Sequence, residues 1–303
     1  MVAPPEAGMK AAAVPVDVPR SRLADFLVFT KVRVNALVVA TTAGGFYMGS
    51  PDAMNLVALA GTVIGTALVA GGAAGLNQIS ERDLDRLMER TRQRPVAEGR
   101  MGVGEAKRLA WATSLAGLAL LALSANLLAT AVAAVTLVIY AFVYTPMKRV
   151  TSFSTVVGAV PGGLPPMIGW AAARGTLDAP AWALFLIIFL WQLPHFLAIA
   201  WLYRDDYARA RLPMLPVVDP DGASTARQSL LYATALLPVS LLPSALGLTG
   251  LVYAISAVVL GLAFIAVGIR FAARRTQPNA RLLFLTSLIY LPALWVVMMV
   301  DRT

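Results

Sequence analysis

Apolar runs near the thickness of a bilayer core succeed one another through this chain, and no other feature limits its fold so tightly. Nine can be read, at about 34–50, 56–79, 109–124, 127–146, 153–173, 180–202, 228–247, 251–269 and 282–300. The first and third are short and are expected to extend into their flanks. A segment in lipid must satisfy its own backbone hydrogen bonds, and the alternating pattern of barrel strands is absent, so the spans should be helices. The expected fold is therefore all-α, a polytopic membrane protein built as a nine-transmembrane-helix bundle. Residues 1–20 are rich in Ala, Pro and Val and lack periodicity. They read as a disordered tail rather than a signal segment, leaving 21–303 as one membrane domain.

Charge then orients the bundle. Nine spans put the two chain ends on opposite sides, and 23 of the 25 Lys and Arg residues fall on the side of the N-terminus. By the positive-inside rule that side is cytoplasmic, or the equivalent face of an organelle, with the C-terminus opposite, and the expected location is a cell inner (cytoplasmic) membrane. The net charge of +9 is then a topology signal and not a nucleic-acid footprint. Cysteine is absent, which excludes disulfides, thiolate metal sites and thioether-linked haem.

One stretch does not fit a plain membrane bundle. From Asn77 to Pro95, nineteen positions hold four acidic and five basic residues, in a chain that is 14% charged. Asn77, Glu81 and Asp85 stand at i, i+4 and i+8, so a helix lines them up as one oxygen-bearing stripe. Mg²⁺ prefers such ligands, with water and phosphate completing its shell. Arg90, Arg92 and Arg94 follow, and a guanidinium can grip phosphate with two parallel hydrogen bonds. Asp83 lies about 200° from Glu81 around the helix, leaving it to cap, to pair with an arginine or to bind a second substrate. The plain alternative is a solvated helix end with i,i+4 ion pairs. Regular spacing, directly at the end of a glycine-rich span (Gly61, Gly65, Gly71, Gly72, Gly75), favours a magnesium–diphosphate site. The glycines themselves read as close helix packing that fixes where the stripe points.

A second cluster closes the sixth span: Tyr203, Arg204, Asp205, Asp206 and Tyr207, then Arg209, Arg211 and Pro213-Met214-Leu215-Pro216. It falls on the same side as the first, as do Lys148 and Arg149 after span four, so all can converge on one diphosphate. His195 is the only histidine and lies inside the sixth span. Such a group is either a neutral histidine bonded to a neighbouring helix or a contact for a ligand such as haem iron.

Several of these residues carry a resemblance. Asn77-x₃-Glu81-x-Asp83-x-Asp85-x₂-Met88-x-Arg90-Thr91-x₂-Arg94-Pro95 resembles the first motif of the UbiA superfamily of intramembrane prenyltransferases, in the form carried by its haem-farnesylating branch. Tyr144-Thr145-x₂-Lys148-Arg149, Pro165-Pro166-x-Ile168-Gly169-Trp170, Trp191-x₂-Pro194-His195-Phe196 and Asp205-Asp206-Tyr207 with Pro213-Met214-Leu215-Pro216 follow in the family's order. Together they cover about residues 25–300. The resemblance implies a central cavity open to the cytoplasmic side and to lipid. It implies Mg²⁺-dependent transfer of farnesyl from farnesyl diphosphate to a vinyl group of haem b, giving haem O, with handover to a haem A synthase or to oxidase assembly. With the residue chemistry it assigns Asn77, Glu81 and Asp85 to the metal, and Asp85, Arg90 and Lys148 to catalysis. Asp83, Arg94, Arg149, His195, Asp205, Asp206 and Tyr207 are assigned to the substrates.

Two positions depart from the superfamily pattern. Glu81 stands where Asp is usual, and Leu202 where the second motif often has Asp. A quinone-pathway prenyltransferase would carry that fuller second motif. A multi-pass transporter would instead place its ionisable groups near mid-membrane.

Overall fold

The computed structural model describes residues 21–50 and 53–303, and the tail expected over 1–20 lies outside them. A short helix α1 (Arg22–Phe29) leads into α2 (Val32–Gly49), α3 (Leu56–Ser80), α4 (Val103–Ser124), α5 (Leu127–Met147) and α6 (Ser154–Arg174). Then come α7 (Ala179–Leu202), α8 (Ala223–Ser240), α9 (Leu251–Ala273) and α10 (Gln277–Val300). Among the described residues the only β feature is one isolated bridge, Thr249 to Arg302.

Helix starts follow local chemistry. Asn55 accepts from the Val57 and Ala58 N–H groups ahead of α3, Asn126 from Ala129 ahead of α5, and Thr276 from Asn279 ahead of α10. Seven of the described helices are long and apolar enough to cross a membrane: α3, α4, α5, α6, α7, α9 and α10. The third predicted span does reach into its flank, from 109 back to Val103. The first and seventh predicted spans fall on α2 and α8, each 18 residues long. Arg33 and Asn35 in α2, and Arg227 and Gln228 in α8, lower their apolar content, so the count of nine does not follow from length and hydropathy alone. Exposed side chains such as Leu123, Leu127, Val252, Val259 and Ile289 form an apolar exterior suited to lipid. The molecule is an integral membrane protein.

The two halves of the bundle pack differently. In the first, α3 lies so close to α4 that a Cβ on Gly72 would stand 2.1 Å from Ser114 Oγ and 2.6 Å from the Ala110 carbonyl. Another face of α3 takes the end of α1, where a Cβ on Gly75 would meet the Phe29 ring at 2.4 Å. Small residues thus let backbones approach where lipid offers no hydrophobic drive. In the second half, α7 to α10 enclose large buried rings, with Phe264 and Tyr290 5.2 Å apart and Trp201 edge-on to Phe271 at 5.9 Å.

Opposite ends of the helices are closed by different means. At one, Arg174 donates to the Gly49 carbonyl, and Arg302 to the carbonyls of Tyr47 and Ser50, capping the end of α2. At the other, the ends of α3, α5 and α7 meet with their charged loops.

Candidate active site

The stripe forms at the end of α3, as the spacing implied. The helix ends at Ser80, and a short turn, Arg82–Asp85, follows, with the Glu81 N–H bonded to the Asn77 carbonyl and the Asp85 N–H to the Glu81 carbonyl. Asn77, Glu81 and Asp85 are all buried. Carboxylates at such a place need partners. Lys148 Nζ donates to Glu81 Oε1 at 2.7 Å, and Arg94 Nη1 donates to both Asp85 oxygens at 2.8 Å. Arg94 also stands 3.8 Å from Glu81 Oε2. Lys31 Nζ donates to Asn77 Oδ1 at 2.9 Å and to the Tyr140 hydroxyl at 3.3 Å, while the Asn77 amide donates to Thr145 Oγ1.

Three other elements deliver these cations. Helix α5 contains a π-helical turn, Ile139–Tyr144, in which Thr145 Oγ1 donates to the Tyr140 carbonyl. Such turns re-aim side chains within a helix. Here Tyr140, Thr145 and Lys148 face the stripe, with the Lys148 ammonium 4.4 Å from the Tyr144 ring centre. Arg94 comes from the loop before the short helix Pro95–Glu98. Lys31 comes from the turn between α1 and α2, in the left-handed backbone region at φ 51°. That turn is held by Gln78, whose amide donates to the carbonyls of Val28 and Phe29.

Burial and neighbours shift these groups in different directions. Burial works to raise Glu81, but Lys148 overrides it and holds this carboxyl below its usual range. Asp85 moves the other way, because its burial outweighs the opposing pull of Arg94. Burial, with Arg94 and Lys148 nearby, lowers Lys31 to about 7. Burial also disfavours charge on Lys148, but Tyr144 and Glu81 together keep it above the ordinary lysine range.

The second cluster meets the first through Arg90. Asp206 is buried, accepts from the Arg90 backbone N–H at 3.3 Å, and pairs with Arg209. The Arg90 guanidinium donates to the Tyr207 hydroxyl at 3.3 Å and lies 5.1 Å from the Tyr203 ring centre. Met88 packs with Ala210, Leu212 and Met214, so an apolar contact also joins the loops. Beside this junction a cavity of about 70 Å³ is lined by Tyr144, Ser154, Phe196 and Tyr207.

Other predicted residues lie apart from the cluster. The Asp83 side chain is 74% exposed and pairs with Arg82 and Arg86, the option that its position off the stripe allowed. Asp205 is 85% exposed, next to Arg204. Arg149 donates to the Ser80 carbonyl at 2.6 Å, tying α5 to the end of α3. His195 lies seven residues before the end of α7, about two helical turns. It makes the interhelical bond of the plain alternative, with Nδ1 2.7 Å from Ser287 Oγ. The Ser287 hydroxyl also reaches the Phe284 carbonyl at 2.6 Å, so it can donate there while accepting from Nδ1, and Nε2 lies outside this contact. Trp191 stacks on the ring at 5.1 Å and donates to the Ser287 carbonyl.

The sequence reading missed Lys31, Tyr140 and Thr145. Lys31 was counted among the orientation charges, 46 residues from its partner Asn77. The available signal for Thr145 was its place in the Tyr144–Arg149 motif.

Two carboxylates and a carboxamide, all hard oxygen donors on one helix end, suit Mg²⁺. Among the described residues, however, no group of three or more His, Cys, Asp or Glu side chains could hold a metal ion. A metal here would depend on the Asn77 amide and on oxygens from elsewhere.

A membrane bundle that gathers buried carboxylates, a carboxamide and cations at one end of its helices has the arrangement of an intramembrane enzyme. The comparisons agree. The model of the UbiA prenyltransferase family matches residues 37–291. The chain is 48% identical over 287 residues to a protoheme IX farnesyltransferase of Solibacter usitatus, covering 92% of this chain and 98% of that one. It is 42% identical over 309 residues to the Koribacter versatilis protein of the same name, covering 97% and 100%. Among solved structures, a digeranylgeranylglyceryl phosphate synthase aligns with TM-score 0.77 at 17% identity, over 92% of this chain and 98% of the other. A UbiA homologue from Archaeoglobus fulgidus, bound to DMAPP and Mg²⁺, aligns with TM-score 0.63 at 17% identity, over 91% and 99%. At those identities the likeness is one of fold. The chain belongs to the UbiA prenyltransferase family. It is a membrane-embedded prenyltransferase.

Proposed function

We propose that this enzyme transfers a farnesyl group from farnesyl diphosphate to a vinyl group of protohaem IX, giving haem O and diphosphate. One observation carries the chemistry: the buried Asn77–Glu81–Asp85 stripe, set within reach of Lys31, Lys148 and Arg94. The acceptor is supported by the names of the relatives and by the motifs from Tyr144 to Pro216.

The residues divide the work. Asn77, Glu81 and Asp85 would hold Mg²⁺, which when bound neutralises charge on the leaving diphosphate. Lys148, Arg94 and Arg90 bind diphosphate oxygens and stabilise the negative charge that grows as the allylic C–O bond breaks. The electron pair of that bond leaves with the diphosphate, the vinyl π pair forms the new C–C bond, and the cation left on the vinyl carbon beside the porphyrin ring takes up a water molecule and releases a proton, which leaves a hydroxyl there. The aromatic side chains of α7, buried Trp191 and half-buried Phe196, would keep water from the allylic cation. His195 Nε2, unused by Ser287, is available to contact or orient the porphyrin. Asp206 and Tyr207 position Arg90. By the charge count, the site faces the cytoplasm across an inner membrane. The haem O formed there passes to a haem A synthase or to oxidase assembly.

The test is to incubate purified enzyme with haem b, Mg²⁺ and prenyl diphosphates of several chain lengths, and to weigh the porphyrin products. A haem product heavier by one farnesyl group and one hydroxyl supports the reading. Prenylation of a small aromatic acceptor, with haem left unchanged, would overturn it.

A further inference from the structure

Each oxygen group of the stripe already has a resident cation. Lys31 is on Asn77 at 2.9 Å, Lys148 on Glu81 at 2.7 Å, and Arg94 on both Asp85 oxygens at 2.8 Å. Lys148 and Arg94 alone balance the two carboxylates, so the cluster carries no net negative charge even before Lys31 is counted. A bare divalent cation approaching it gains little Coulomb attraction and must break three hydrogen-bonded contacts. The stripe also offers too few ligands, since among the described residues no three acidic or histidine side chains converge on one point. A hard cation needs about six oxygens, so most of its shell must come from phosphate and water.

A diphosphate changes both terms. Its oxygens give Lys31, Lys148 and Arg94 a new partner, which frees the protein oxygens, and they also supply the missing metal ligands. Lys31 is built for such an exchange. Its backbone is fixed by Gln78 on the end of α1, by Thr30 Oγ1 on the Phe26 carbonyl and by the Asn35 amide on the Thr30 carbonyl. Only the flexible side chain has to swing.

We propose, on the basis of the metal–diphosphate reading above, that Lys31, Lys148 and Arg94 are resident counter-cations that make metal binding conditional on diphosphate. Lys31 is the positioning residue that withholds Asn77 until the diphosphate arrives. The metal ion and the prenyl diphosphate therefore bind as a unit, and the ionising electrostatics assemble only around a bound prenyl donor.

The experiment is a Mn²⁺ titration of the full-length protein in lipid nanodiscs, read by the electron paramagnetic resonance of free Mn²⁺. It is run with and without inorganic pyrophosphate and corrected for the complex that forms in solution. In the wild type, pyrophosphate should tighten Mn²⁺ binding at least tenfold. Lys31→Met keeps an L side chain at the strained φ, so the backbone cost is unchanged. It should tighten binding of Mn²⁺ alone at least threefold and reduce the tightening by pyrophosphate. Lys148→Met should do the same by freeing Glu81, and it serves as the second variant should Lys31→Met fold poorly. Unchanged or weaker Mn²⁺ affinity in both variants would overturn the proposal. Asp85→Asn separates the two levels of the argument. Impaired Mn²⁺–pyrophosphate binding in Asp85→Asn beside unchanged lysine variants removes only the conditional mechanism. Wild-type binding in Asp85→Asn removes the metal site and this inference with it.

Discussion

The two acidic loops share one face of the bundle, yet they hold their charges differently. In the first, the Glu81 side chain is 7% exposed and Asp85 fully buried, and their cations come from the α1–α2 turn, the end of α5 and the Arg94 loop. In the second, Asp206 is 10% exposed and its neighbour Asp205 85% exposed. Its cation, Arg209, lies one turn away on the same short helix. Removing a carboxylate from water is tolerable only where partners are brought from several directions. The first loop has that support because α3 packs against α1, α4 and α5. The second has it only where Arg90 crosses over. On the proposed function the first loop would hold the metal, and the second would seat Arg90.

That contrast can be broken most decisively at Asp85. Asp85→Asn should lower turnover by about a thousandfold or more, because it removes a ligand and leaves Arg94 with an amide in a buried position. Protein that inserts and elutes normally but keeps more than a tenth of its activity would place the metal chemistry elsewhere. Lys148→Met comes next, with a loss of about 10²-fold, the scale of removing one aimed electrostatic group from a developing charge. Restoration by Lys148→Arg would show that charge, not shape, is what Glu81 and the diphosphate require.

Asp206→Asn should cost about tenfold, mostly as a raised KM for the diphosphate, since it loosens Arg90 without touching the stripe. A loss equal to that of Asp85→Asn would erase the proposed difference between the loops. For the acceptor, His195→Ala should weaken haem binding several-fold while pyrophosphate binding stays normal. Ser287→Ala should follow in the same direction with a smaller effect, because it frees the imidazole rather than removing it. Absorbance titration with haem, beside a separate pyrophosphate titration, decides whether His195 reads the porphyrin or only packs α7 against α10. The smallest effects should come from Asp83→Asn, Asp205→Asn, Arg274→Gln and Arg275→Gln, each within about twofold of wild type, as expected for solvent-exposed charges. A tenfold loss at Asp83 or Asp205 would mean that these carboxylates turn inward when substrate binds.

Much of the site was legible because its chemistry is local in sequence. The period of the α-helix places Asn77, Glu81 and Asp85 on one face, and the structure keeps them there through Ser80 and the turn that follows. Asp83 was set apart by the same period and is found paired at the surface. The motif reading of Asp205 and Arg149 fared differently, since a motif names a position without fixing where its side chain points. Arg149 is turned onto the Ser80 carbonyl and Asp205 into solvent. Lys31 could not be read at all, because a lysine at a span boundary looks like an orientation charge until the helices are packed.

The sequence by itself determined that this chain lives in a membrane as helices and that three oxygen-bearing side chains share a stripe. These follow from run length, residue type and helical period, which need no neighbours. Only the tertiary structure decided which cation meets which oxygen, that Arg90 belongs to the second loop, and that His195 Nδ1 is committed to Ser287. Those pairings join residues from 9 to 117 positions apart. They depend on how α3 packs against α1, α4 and α5, and its approach to α1 and α4 is set by glycines whose partners no local pattern names.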